Sequence, residues 1–323
     1  MKLFVFTLIS TLLTHTTRTA ASSPTINTTH LITTPNFLEN IAVRSNNHLL
    51  LTSVSTPTIY SLDPSNTSSL YSLPPIPNAN STAGITEIAP DIFAVIAGTM
   101  DTEKLRWVLG TVSLWTINLH HTLPVFRHVL NMPEAEGINA ITTIPGSPNL
   151  VLAADSVAGT VYRIDVKRGR YEVAIKDVLF EPTGPAPSLG INGLHTQASF
   201  PFTYLYFTNS ALGILGRVRI SRIGQAIGPI AVLNDGSRIP GCDDFAIDAE
   251  GRAWIATHPA SVNLVDGKGG MEVVVNGTGV PDPTSAAFGR GSKAQEGMLY
   301  VTTNLLSETG VVGGVVGIDT RSH

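Results

Sequence analysis

One pattern recurs along this chain, and it constrains the fold more than any other feature. Each copy opens with a polar residue or pair and a short apolar strand. A turn follows, then a second strand ending in small polar residues, a Gly-containing loop and a third strand of alternating character. The first copy reads Leu38-Glu39-Asn40-Ile41-Ala42-Val43, Leu49-Leu50-Leu51-Thr52-Ser53 and Thr58-Ile59-Tyr60-Ser61-Leu62-Asp63. Later copies open at Gly84-Ile85-Thr86, Gly137-Ile138-Asn139, Gly190-Ile191-Asn192, Cys242-Asp243-Asp244 and Pro283-Thr284-Ser285. The starts, near residues 38, 84, 137, 190, 241 and 283, are spaced by roughly 50 residues, the length of a four-stranded propeller blade. Runs of Val, Ile, Tyr and Phe bounded by Gly, Pro, Asn or Asp read as strands throughout. The expectation is an all-β chain folded as a six-bladed β-propeller. A β-sandwich would not repeat a polar pair at the head of every third or fourth strand, and a β-helix rung is much shorter.

Residues 1–21 lie outside the repeat. Met1-Lys2, the mostly apolar run Leu3 to Leu13 and the small-residue end at Thr19 and Ala21 read as a signal peptide. The apolar run falls short of the roughly 20 residues that span a bilayer, and no later run reaches that length. The expected organisation is a signal over 1–21 and one propeller domain over 22–323, with secretion or residence in a lumenal compartment. Asn-x-Ser/Thr triplets at Asn27, Asn66, Asn80 and Asn276 then become candidate glycosylation sites.

Composition removes several classes of function. With 20 Lys+Arg against 24 Asp+Glu, the net charge is -4, so a general nucleic-acid binder, which needs a basic face, is excluded. A single cysteine, Cys242, excludes an internal disulfide, a CxxC redox pair and a cysteine-cluster zinc site; it is expected to be a small buried filler rather than a nucleophile. Charged residues are only 14%, against roughly 25% in an average soluble chain, which points to an apolar interior and ligand site. The sequence holds no nucleophile elbow, zinc-protease helix, phosphate-binding loop or EF-hand. His120, His121 and His128 are expected at the surface, Trp115 and Trp254 in the core, and Trp107 in the core or a loop.

In a propeller, the start of each innermost strand and the end of each second strand lie on the same face, because consecutive strands are antiparallel. These ends converge on one funnel. The heads supply Glu39, Asn40, Thr86, Asn139, Asn192, Asp243, Asp244 and Ser285; the tails supply Ser53, Asp155, Asn209, His258 and Asn304. Any one Asn or Asp at a strand end also has a ready role capping its own turn. The recurrence in register is what marks the set, with Asn40, Thr86, Asp155, Asn209, Asp244, Ser285 and Asn304 as candidate substrate contacts and His258 as a donor or acid/base. Gly137, Gly190 and Gly241 precede three of the heads and are expected to let backbone crowd the axis.

The heads Glu39-Asn40, Gly137-Ile138-Asn139, Gly190-Ile191-Asn192-Gly193-Leu194 and Cys242-Asp243-Asp244-Phe245-Ala246-Ile247-Asp248-Ala249-Glu250-Gly251 resemble the gluconolactonase/regucalcin-like family over most of the chain. The resemblance implies one divalent cation, often calcium, in the central channel on Glu39, Asn139, Asn192 and Asp243, and it implies lactone or ester hydrolysis with Asp243 as base or water-positioner. The family's Glu-Gly-Pro head is Glu39-Asn40-Ile41 here and its Pro-Asp-Gly head is Cys242-Asp243-Asp244. This drift, with the signal peptide, is similar to a fungal branch of these propellers, some members of which act in secondary metabolism as hetero-Diels–Alderases that join a quinone methide to a terpene alkene.

Three readings follow. The first is a hetero-Diels–Alderase-type cyclase on small apolar natural-product substrates, with Asp243, His258, Asn192 and Asn139 as the catalytic set. The second is a metal-dependent lactonase or esterase. The third is a non-catalytic ligand-binding propeller, since fold does not fix function. The altered heads and apolar balance place the cyclase first.

Overall fold

The computed structural model describes residues 26–234, 238–307, 310–321 and 323. The segment read as a signal peptide lies outside the described residues. Six four-stranded antiparallel sheets account for nearly all of the regular structure, and they are the six blades of a β-propeller. Their inner strands are Leu38–Val43, Ser81–Ala89, Ile138–Ile144, Ile191–Ser199, Cys242–Ile247 and Pro283–Phe288, in blades I to VI. Among the described residues the helices are a single 3-10 turn, Val178–Phe180, and the short α-helix Lys293–Glu296.

The ring closes through its ends. The strand Thr28–Thr34 is the outermost strand of blade VI and pairs antiparallel with Gly310–Asp319, from Thr28 opposite Ile318 to Thr34 opposite Gly313. Closure covers both faces of the first and last blades, leaving only the short outer strand of each blade as an edge.

The core is divided by the blades. Six apolar clusters form, one at each blade–blade interface. In a strand, successive side chains point to opposite faces. Leu50 therefore joins the cluster toward blade II while Leu49 and Leu51 join the one toward blade VI. Burial on both faces explains why the second strands read as continuous apolar runs such as Leu49-Leu50-Leu51 or Phe93-Ala94-Val95-Ile96-Ala97. Trp254 is wholly buried, with its Nε1 donating to Asp248 Oδ2 at 2.9 Å. Trp115 is partly buried and meets the His128 ring edge-on at 5.2 Å. His120, His121 and His128 are exposed, as are all four sequon asparagines.

The sequence pattern misses one register. Blade II's inner strand begins at Ser81, with Thr82 opposite Ala97 and Ile85 opposite Val95. Its head is therefore Ala83-Gly84, and Thr86 sits lower, opposite Ala94. The repeat hid this because blade II has no polar pair at its head. Blade II also carries an inserted two-stranded hairpin, Met100–Asp101 paired with Arg106–Trp107, between its second and third strands.

The glycines before the heads relieve contacts with neighbouring loops rather than crowding at the axis. A Cβ on Gly190 would lie 2.2 Å from the Phe180 carbonyl oxygen, and one on Gly137 would lie 2.5 Å from Val157 Cγ2. Backbone cannot retreat from such a contact cheaply. Gly190→Ala is expected to destabilise the protein by about 2 kcal/mol or more, read as a lower urea midpoint. Gly267→Ala, where a Cβ meets nothing within 4 Å, should leave the midpoint unchanged.

Candidate active site

A shared irregularity aims the site residues. In each of blades I to V, the inner strand pairs with the second strand on both sides of a two-residue bulge. In blade I, Leu38 faces Ser53 and Ile41 faces Leu51, with Glu39-Asn40 between them. The bulged pairs in the next four blades are Ala83-Gly84, Asn139-Ala140, Asn192-Gly193 and Asp243-Asp244. Bulges re-aim side chains next to functional sites. Here the first residue of each pair in blades I, III and V, and Ala83 in blade II, lines one cavity of about 610 Å³.

The cavity lining is mostly apolar: Phe37 and Val54 of blade I, Ala83, Met100, Leu105 and Trp107 of blade II, Ile138 of blade III, Leu189 before blade IV and Val311 of blade VI. Asp243, His258 and Asp282 of blades V and VI form a charged wall, and Glu39 and Asn139 also line the cavity. His258 is held between two carboxylates, with Nε2 2.9 Å from Asp243 Oδ2 and Nδ1 2.5 Å from Asp282 Oδ1. An imidazole with an acceptor at each nitrogen must donate from both, so it is an imidazolium. Burial works against that charge, but the hydrogen bonds and charges of Asp243 and Asp282 outweigh it and raise the His258 pKa to about 10.

Glu39 accepts from Asn139 Nδ2 at 3.1 Å. Burial, reinforced by the charge of Asp243, raises its pKa to about 8; it is largely a neutral acid at pH 7. Burial also raises the Asp243 pKa, against the lowering effect of His258. Asn40 reaches past the small blade II head to Asn139, its Nδ2 3.4 Å from Asn139 Oδ1. Asn192 donates to Ser210 Oγ at 2.9 Å.

Several predicted substrate contacts have another occupation. Asp155 is fully buried, and its oxygens accept from the backbone N–H groups of Glu136, Val157 and Ala158. Asn209 donates to the Leu179 and Glu181 carbonyls and accepts from Leu212 N–H. Asn304 is bonded both ways to the Leu38 backbone. These three fasten turns and neighbouring chain. Asp244 accepts from Ser285 Oγ at 2.9 Å and from Phe245 N–H at 2.8 Å, and lies 3.1 Å from His195 Nε2. It bolts the inner strands of blades IV, V and VI together. Thr86 does not line the cavity. Sequence reasoning missed His195, Asp282, Met100, Leu105 and the cavity-lining role of Trp107. Asp282 belongs to no strand and has φ 42°, so only its position just before the sixth head could have flagged it.

The donor set suits a hard divalent cation. Asp243 Oδ1 and Asn192 Oδ1 are buried and accept no hydrogen bond, and a buried acceptor left unmet costs about 1–3 kcal/mol. Glu39, Asn139, Asn192 and Asp243 would hold such an ion, which takes oxygen ligands of this kind. Among the described residues no three His, Cys, Asp or Glu side chains cluster as a metal centre; the set here is two carboxylates and two amides.

No protein-family profile matches the chain, and no curated protein sequence matches it. Solved structures do. A luciferin-regenerating enzyme is similar at TM-score 0.66 and 15% identity, over 91% of this chain and 95% of that one. Regucalcin from Agrobacterium tumefaciens str. C58, a calcium-binding protein, is similar at TM-score 0.64 and 16% identity, over 89% and 93%. Virginiamycin B lyase from Staphylococcus aureus follows at TM-score 0.52 and 14% identity, over 90% and 98%. The luciferin-regenerating enzyme and regucalcin are six-bladed propellers of the regucalcin and gluconolactonase-like kind, and the neighbours include enzymes. At these identities the likeness is one of fold.

Cys242 immediately precedes Asp243 but is fully buried, and burial pushes its thiol up to about 12. The native protein should take up no iodoacetamide at pH 8 over an hour, and one equivalent in guanidinium, as counted by mass spectrometry. Rapid native labelling would place the thiol in the funnel.

Proposed function

We propose that the funnel is the active site of a cyclase of the hetero-Diels–Alder type, acting on a small apolar substrate with one reactive oxygen. The observation that carries this reading is a mostly apolar cavity with the Glu39 acid and the charged His258 in its lining. A cycloaddition of a heterodiene with an alkene forms one C–C and one C–O bond while three π bonds become one. No proton, electron or leaving group crosses the site, so no nucleophile is required. What the reaction needs is two apolar partners held in a near-attack pose and a donor at the heterodiene oxygen, where negative charge develops. The apolar lining would hold the alkene and exclude water. The Glu39 acid would donate to the oxygen; His258, whose two N–H groups are already bonded to Asp243 and Asp282, would add only its charge. The resemblance to the fungal cyclase branch supports the same reading.

The test uses an ortho-quinone methide released in situ with an isoprenoid alkene, followed by chiral chromatography. The native protein should give an excess of one enantiomer, above the uncatalysed rate and unaffected by EDTA. Glu39→Ala should lower the rate about 100-fold, in the range of a lost transition-state hydrogen bond. Racemic product at the background rate would exclude this activity.

A second reading, a metal-dependent lactonase, is favoured by the unmet oxygens of Asp243 and Asn192. A bound cation there would act as a Lewis acid on a carbonyl. In that case calcium should bind in calorimetry, Asn192→Ala and Asp243→Ala should abolish binding, and lactone turnover should vanish with EDTA and return with calcium. Unchanged binding in both variants would remove it.

A further inference from the structure

We propose that Leu105 is a specificity-determining residue that sets how long a hydrocarbon part the funnel accepts. This rests on the reading of the funnel as a site for apolar substrates. Leu105 lies in the turn of the blade II hairpin and lines the 610 Å³ cavity beside Met100 and Trp107. It also lines a second cleft of about 240 Å³, formed with Val157, Ala186, Pro187 and Ser188 from the loops of blades III and IV. Leu105 is the residue the two spaces share, and it stands between them as a partition.

Two further observations single it out. Its φ is 50°, a left-handed conformation uncommon for a non-glycine residue and costly for a leucine. Its side chain is nonetheless 47% exposed, so core packing does not account for the leucine. The hairpin that presents it is firmly tied. Met100 N–H donates to Asn80 Oδ1 at 2.7 Å, Trp107 N–H to the Glu136 carbonyl at 2.9 Å and Trp107 Nε1 to the Ile138 carbonyl at 2.8 Å. Arg106 pairs with Glu136. A strained apolar residue on an anchored hairpin, between two cavities, fits a wall that meets the end of a ligand's chain.

The experiment needs no turnover. N-phenyl-1-naphthylamine is bound in the funnel and displaced by a homologous series of straight-chain primary alcohols, with thermal melts on every variant. In the wild type each added methylene should tighten binding about fourfold until the chain meets Leu105, and then the gain should stop. Leu105→Gly, which suits the positive φ and keeps the fold, should carry the gain about two carbons further as the two spaces merge. Leu105→Trp should stop it earlier. Leu123→Gly, on an exposed loop outside the funnel, should follow the wild type. A break at one chain length in all the proteins, a wild type that takes up no naphthylamine, or a Leu123→Gly break that moves as far as that of Leu105→Gly each overturns the assignment. A chain-length break that moves as expected in a protein with no cycloaddition activity keeps the partition and rejects the cyclase.

Discussion

Everything on the axis depends on the antiparallel pairing of Thr28–Thr34 with Gly310–Asp319. Six inner strands converge only if the ring is closed, and this pairing joins the two ends of the chain. Closure puts each blade between two neighbours, so both faces of every sheet are covered and the core is split into six interface clusters. The polar groups near the axis then knit those interfaces. Asp244 links blades IV to VI, Asn304 ties blade VI to blade I, and Asn40 reaches Asn139 past blade II. The funnel is a consequence of the closed ring rather than a cleft added to it.

Within that ring the recurring bulge separates positioning from support. Its first residue faces the cavity in blades I, III and V, while in blade V its second, Asp244, is bound into the neighbouring blades IV and VI. The charged wall draws its His from the end of a second strand and one carboxylate from the loop before the sixth head. Blade V and the loop leading into blade VI therefore meet at His258. Such a site is held by many hydrogen bonds and has little freedom to rearrange, which suits orientation of a substrate more than large-scale closure over it.

The blades were legible in the sequence because strands covered on both faces leave long apolar runs, and turns leave Gly, Asn and Asp at regular spacing. Glu39, Asn139, Asn192 and Asp243 were singled out as a set by the resemblance to the gluconolactonase/regucalcin-like family, whereas the repeated polar heads alone marked a wider group. Blade II was misaligned because its head is Ala83-Gly84. Asp155, Asn209 and Asn304 looked like funnel groups because a strand-end Asx side chain has the same sequence signature whether it meets a ligand or backbone N–H and carbonyl groups. Asp282 and Leu105 were invisible for a different reason. Both sit at positive φ in irregular chain, where periodicity carries no information and only the fold reveals what the side chain meets.

The missing polar head of blade II has a geometric outcome. A ring of six equivalent blades would present the same surface to a ligand at every sixth of a turn. With Ala83 in one sector and His258 in another, the funnel has an inside left and an inside right. A flat ligand resting there would meet a different surface in each sector, so the ring's departure from its own symmetry singles out one rotation about the axis.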